Sequence, residues 1–143
     1  MSVLGEYDSG DSIVRVTITI KGLDSLTKKL DALEKGAYLK PTVTAGANLL
    51  RNEMRRYPPK PPQSTYRRQG TLGKSWTQRV SGGRGGWLAV IGSFLNYAPY
   101  VQDRDRQAAV HRGRWQTVQS VAEENREKVT RFVVQAIRRW MRG

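Results

Sequence analysis

Asp103 and Asp105 stand two apart in a polar stretch. Two carboxylates so placed can hold a Mg²⁺ ion for phosphoryl chemistry, as a metal-dependent nuclease would. Arg104 and Arg106 interleave them and compete for the same oxygens by ion pairing. His111, the one histidine of the chain, could act as a base, but no acidic residue stands at a recognisable spacing to orient it. A solvated loop histidine is the plainer reading. Ser75 and Ser93 lack the context of a strained nucleophile turn. The glycine-rich stretch 81–86 lacks the Lys-Ser/Thr ending of a phosphate-binding loop and reads as a hairpin tip. The absence of cysteine excludes disulfides, thiolate metal sites and cysteine nucleophiles. The expectation is a chain with no enzymatic activity and no cofactor.

Recognition chemistry is better represented. Tyr66, Arg67 and Arg68 place an aromatic ring beside two guanidinium groups, and Arg112, Arg114 and Trp115 repeat the pattern. Tyr97, Tyr100 and Trp115 lie near loops and are the better interface candidates. Such residues stack on bases or track phosphates. They equally dominate protein–protein hot spots. The chain carries 25 Lys+Arg against 12 Asp+Glu, for a net charge of +13. Residues 1–48 are neutral, with six charges of each sign, so the whole excess falls on residues 49–143. In that stretch 16 of the 19 basic residues are arginine. Arginine offers a planar fork suited to carboxylate or phosphate. The excess therefore points to DNA, RNA or an acidic protein face, and charge alone does not choose among them.

The elements that must carry these residues are readable in the pattern. At 143 residues the chain fits a single domain, 1–143, able to bury a core without metals or disulfides. Residues 1–11 are polar and read as an N-terminal arm with no secretory signal. Val14, Val16, Ile18 and Ile20 alternate with polar residues as a strand. Leu23, Leu26, Leu30 and Leu33 are spaced as a first helix, which Gly36 ends. A second helix starts near Pro41, with Val43, Ala47, Leu50 and Met54 as its apolar stripe; Gly46 inside it suggests a close helix or sheet approach. A Pro-rich loop follows over 57–71. Leu72, Lys74, Trp76, Gln78 and Val80 alternate as a second strand, and Trp87 to Ser93 form a third, apolar enough to be central. Trp76 and Trp87 are expected in the hairpin core. A basic loop occupies 103–115, and a helix of about 36 Å runs over 118–141. Its glutamates fall in the first half and Arg131, Arg138, Arg139 and Arg142 in the second, complementing the helix dipole. The predicted class is α+β: a small antiparallel sheet packed by two N-terminal helices and one long C-terminal helix, with long loops. No run is apolar enough for a transmembrane helix.

The order of several fragments carries a resemblance. A strand runs into Gly22-Leu23-Asp24-Ser25-Leu26, and the second helix contains Ala45-Gly46-Ala47. After the Pro-rich loop come Gly70-x-Leu72-x-x-Ser75 and, past the apolar strand, Tyr97-Ala98-x-Tyr100-Val101. Over residues 13–102 this order resembles the gene-product-ten-type tail-component family of long-tailed bacteriophages, which are tail-completion and neck proteins. Gln69 and Gln102-Asp103-Arg104-Asp105 depart from the family's usual residues at their positions. The resemblance implies a structural virion protein, a head–tail joining component forming a six-fold or twelve-fold homo-oligomeric ring. Its neighbours would be portal-side connector and tail-tube proteins, with packaged DNA as a candidate further contact and no membrane. It would reside in the virion neck or tail, and in the host cytoplasm during assembly.

Interface contacts are accordingly expected from Tyr66, Arg67 and Arg68 on the first loop. Tyr97 and Tyr100 would add to them, with Arg104, Arg106, Arg112 and Trp115 on the second. The alternative is a stand-alone basic nucleic-acid-binding protein.

Overall fold

The computed structural model describes residues 2–8, 13–21, 39–65, 67–83 and 86–142. The expected first helix at 23–34 and Tyr66 lie outside the described residues. The chain is α+β, built on a four-stranded antiparallel sheet in the order β1-β2-β4-β3. The strands are β1 Ser2–Asp8, β2 Ile13–Lys21, β3 Thr77–Gly83 and β4 Gly86–Ser93. The helices are α1 Lys40–Met54, a short α2 Thr71–Ser75, a short α3 Ala98–Gln102 and the long α4 Val118–Arg142. No helix among the described residues is long and apolar enough to cross a membrane.

β2 and β4 are central because they bury the most. Val14, Val16, Ile18 and Ile20 of β2 and Trp87, Ala89 and Ile91 of β4 are all buried. Full burial of such a side chain contributes about 1.5–3 kcal/mol. α1 packs over β3 and β4, α4 packs over β1 and β2, and the two helices meet between them. Gly46 of α1 sits at that meeting point. A Cβ there would lie 3.1 Å from Cδ1 of Ile18 and 3.3 Å from Cγ1 of Val129. The glycine in mid-helix thus serves both the sheet and the neighbouring helix.

Three expectations are corrected. The N-terminal arm is in large part a strand: Ser2–Asp8 pairs along β2, Ser2 opposite Thr19 through Asp8 opposite Ile13. Its alternation is hidden because one inward position is Gly5. The first turn of α4 presses onto that glycine, and a Cβ would stand 1.9 Å from the carbonyl oxygen of Val118. Secondly, Leu72 to Ser75 belong to a helical turn, not to the strand that follows. Leu72 and Trp76 are both buried four residues apart, a spacing that serves a helical turn as well as an alternating strand. The Pro-rich loop accordingly ends at Gly70, whose φ of +76° introduces the turn. Thirdly, the hairpin tip is shorter than 81–86, since Gly83 and Gly86 still pair.

α4 begins with a reciprocal cap. The Ser120 amide donates to Oγ1 of Thr117 at 3.0 Å, and the Thr117 amide donates to Oγ of Ser120 at 2.9 Å. Val118, Val121, Ala122, Val129, Val133 and Ala136 form its buried stripe. Its end at Arg142 matches the expected 118–141 to within one residue.

Candidate functional site

The two long loops close on each other. α1 must end before Pro58, and the extended Pro-rich chain that follows carries Tyr57 at its root. The Gly73 amide donates to the Tyr57 hydroxyl at 2.8 Å, which ties the loop's start to the turn at its far end. Tyr57 meets Trp115 of the second loop edge to face, with ring centres 5.2 Å apart at 77°. His111 meets the same indole, also edge to face, at 6.2 Å. The Arg68 guanidinium lies over both larger rings, 5.4 Å from the centre of Tyr57 and 5.7 Å from that of Trp115. It also donates to the carbonyl of Pro58. One cation therefore joins both loops through two aromatic faces.

Three glutamines fasten this assembly to the body. Buried Gln102 accepts from the Trp76 indole N–H at 3.1 Å and donates to the carbonyl of Met54 at 3.0 Å. It thus links α3, the junction of α2 with β3, and the end of α1. Gln116 donates to the carbonyls of Glu53 and Arg56, each at 2.7 Å, at the end of α1 and just past it; the Glu53 carbonyl also accepts from the Arg56 amide. Buried Gln107 donates to the carbonyl of Val101 at 2.7 Å from inside the second loop. A side-chain amide both donates and accepts, so each can satisfy buried backbone that an apolar residue would strand.

Between the loops lies a cleft of about 600 Å³. Its walls are largely apolar or aromatic, with Tyr57, Tyr97, Tyr100, Val110 and Trp115 prominent. Tyr100 is 56% and Val110 66% exposed. The charged residues among those lining it are Lys60, Arg68 and Arg114, all positive. His111 lines it too, and its buried Nδ1 has no hydrogen-bond partner among the described residues. Burial, and secondarily the positive charge of Arg114, push the His111 imidazole below its ordinary pKa, so it is neutral at pH 7.

Of the residues singled out by sequence, Arg68, Tyr97, Tyr100 and Trp115 are brought together at this cleft. Arg67 is exposed and is not among its lining residues. The remaining three arginines brace the second loop. Arg104 makes a two-pronged ion pair with Glu123 of α4, at 3.0 and 2.9 Å. The hydrogen bond from Arg104 is the main reason the Glu123 carboxyl is held below its ordinary pKa. Arg112 donates from Nε to the carbonyl of Gln107 at 3.2 Å. Arg106 stands 4.0 Å from the Asp103 carboxylate.

The Asp-x-Asp pair is divided. Asp103 is buried and accepts from Gln119 at 2.6 Å, whereas Asp105 is exposed. Among the described residues no three His, Cys, Asp or Glu side chains gather as a metal-holding group. The hydroxyls of Ser75 and Ser93 lie 2.6 Å apart, and that of Ser75 also donates to the carbonyl of Leu72, a bracing arrangement between α2 and the end of β4.

Tyr57 and the glutamines escaped sequence reasoning. Tyr57 stands at the start of a proline run and looks like a helix terminator. A scattered glutamine carries no periodicity. The only available signal was Gln102 following Tyr97-Ala98-x-Tyr100-Val101 directly. Comparison with protein-family models, with curated proteins and with solved structures finds no match to this chain.

Proposed function

We propose that this chain is a structural component of a tailed-phage virion, a neck or tail-completion protein. Copies of it would form a closed ring of six or twelve between a portal-side connector and the tail tube, assembled in the host cytoplasm and without enzymatic activity. The ordered fragments over residues 13–102 support the family. The observation that carries a docking role is the cleft. Tyrosine, tryptophan and arginine, the residue types of interface hot spots, are gathered there from two loops and held in place before any partner arrives. β1 and β3 are the sheet's edge strands and offer a second way for copies to abut. Native mass spectrometry and negative-stain imaging of the purified protein, alone and mixed with connector and tube proteins, test this reading. A closed oligomer that joins one of them is the expected outcome. A strict monomer that binds neither overturns it.

A second reading is favoured by α4. Arg131, Gln135, Arg138 and Arg142 recur at intervals of three and four residues, on the side of the helix away from its buried stripe. All are exposed, and the row runs about 16 Å at 1.5 Å per residue. A row of guanidinium groups suits a phosphate backbone, and a stand-alone nucleic-acid-binding protein would use it so. The log affinity for duplex DNA would then fall with log salt by about 0.9 per phosphate neutralised. Absent binding at low salt removes this reading.

A further inference from the structure

We propose that the cleft between the loops receives a short peptide segment of a neighbouring protein, one that carries carboxylates beside aromatic or branched apolar side chains. The proposal rests on reading this face as a docking face, though not on the ring.

Two features select that occupant. The first is charge. Lys60, Arg68 and Arg114 are the charged groups among the described residues lining the cleft, so its field is of one sign. An acidic segment is attracted, and a basic one is refused. The second is the apolar wall. Tyr100 and Val110 are more than half exposed, and Leu72 and Val101 extend the apolar lining. The cleft volume falls in the range of ~300–1,000 Å³ typical of ligand clefts. It can hold the side chains of a few residues.

The same geometry disfavours a nucleic-acid strand. Stacking platforms need open aromatic faces. Here Arg68 already covers a face of both Tyr57 and Trp115, and those two rings meet each other edge to face. An arginine fixed in this way shapes a wall for side chains instead of a slot for a base.

The test uses the full-length protein and a random heptapeptide display library, followed by fluorescence anisotropy with the enriched peptides. Enriched sequences should pair Asp or Glu with Phe, Tyr, Leu or Ile. The Lys60→Glu/Arg114→Glu double variant should weaken their binding at least tenfold, as should Tyr100→Ala. Because the whole chain is basic, a second variant guards against general attraction of acids: Arg138→Gln/Arg139→Gln/Arg142→Gln should leave peptide affinity within twofold. A circular dichroism spectrum unchanged from the parent certifies each variant as folded. Enrichment of basic or uncharged peptides, no enrichment, or acidic peptides that ignore Lys60→Glu/Arg114→Glu each overturns the proposal. An oligothymidylate that competes with the peptides for Tyr100 points to the nucleic-acid occupant instead. The ring is judged separately. A closed oligomer that persists while the cleft binds no peptide keeps the ring and rejects the cleft, and peptide capture by a monomer does the reverse.

Discussion

The arginines of the two loops and those at the end of α4 come from the same basic half of the chain, yet they are used differently. Arg68, Arg104 and Arg112 are each engaged, by aromatic faces, a carboxylate and a carbonyl respectively. Arg131, Arg138, Arg139 and Arg142 are exposed, and no hydrogen bond or ion pair holds them among the described residues. An engaged guanidinium has already lost its rotamer freedom, so it contributes shape and costs little more to bind against. A solvated one contributes field, which salt screens over about 10 Å at 0.1 M. Net charge alone merges the two kinds. Under the proposed docking role, the cleft would discriminate among partners and the helix end would attract without discriminating.

The strongest way to disturb both regions at once is to move the helix that joins them. Gly5→Ala places a methyl group where the Val118 backbone now stands, closer than any side chain can be accommodated without a shift. β1 and the first turn of α4 must part. A loss of about 3 kcal/mol or more is expected, at the upper end of overpacking costs. Thermal unfolding should show a Tm lower by about 10 °C. Gly46→Ala makes a milder control, since the atoms it meets at 3.1 and 3.3 Å are side-chain methyls that can give way.

Breaking the cleft alone comes next in size. Arg68→Ala removes the cation from two rings and should lower stability by about 1–2 kcal/mol in urea unfolding followed by tryptophan fluorescence. It should also abolish partner capture at the cleft. Arg68→Lys keeps the charge but loses the planar fork, and should recover only part of each. A full recovery by lysine would mean that charge alone mattered, and the contrast with α4 would fail.

The body of the molecule was legible wherever a residue's neighbours in space are also its neighbours in a period. β2, β4, α1 and α4 bury runs that repeat every two or 3.6 residues, and each lies close to where its pattern places it. Even Gly46 announced a close approach. β1 was not legible, because its key inward residue is a glycine selected by a helix more than a hundred positions away in the chain. The site was half legible. Aromatic and arginine content flagged Arg68, Tyr97, Tyr100 and Trp115, and the cleft unites them. Content could not say that Arg104 would be drawn to Glu123, or that Tyr57 would become the first loop's anchor. Those outcomes depend on which loops meet, and loop closure leaves no periodic trace.

The α4 arginines supply the converse experiment. Replacing Arg131, Arg138, Arg139 and Arg142 with Gln should leave stability within about 0.5 kcal/mol, as for surface residues in general. Any affinity for duplex DNA should fall, and its log–log salt slope should lessen by up to about 0.9 for each phosphate no longer neutralised. A large drop in stability would mean that these side chains are structural after all, and would place them with the arginines of the loops.

The smallest expected effect belongs to His111. Its folded pKa is lowered, chiefly by burial and then by Arg114, while in the unfolded chain it titrates normally near 6.5. The unfolded chain therefore binds more protons between the two values, and stability rises with pH across that window. The favourable contribution is whole above pH 6.5 and is lost as pH falls toward the lower folded value. Lys60 and Arg68 line the same cleft and are likewise positive. Because this is the only histidine, urea unfolding at pH 5.5, 6.5 and 7.5 isolates it from the carboxylates, and His111→Gln should flatten the slope. Filling the cleft with an acidic peptide brings a carboxylate toward the imidazole and should raise its pKa. Bound peptide should consequently shrink the slope in the parent protein and leave the His111→Gln variant unmoved. A slope of opposite sign in the free protein would place the imidazole against a negative group, contrary to the all-positive lining on which the cleft's selectivity depends.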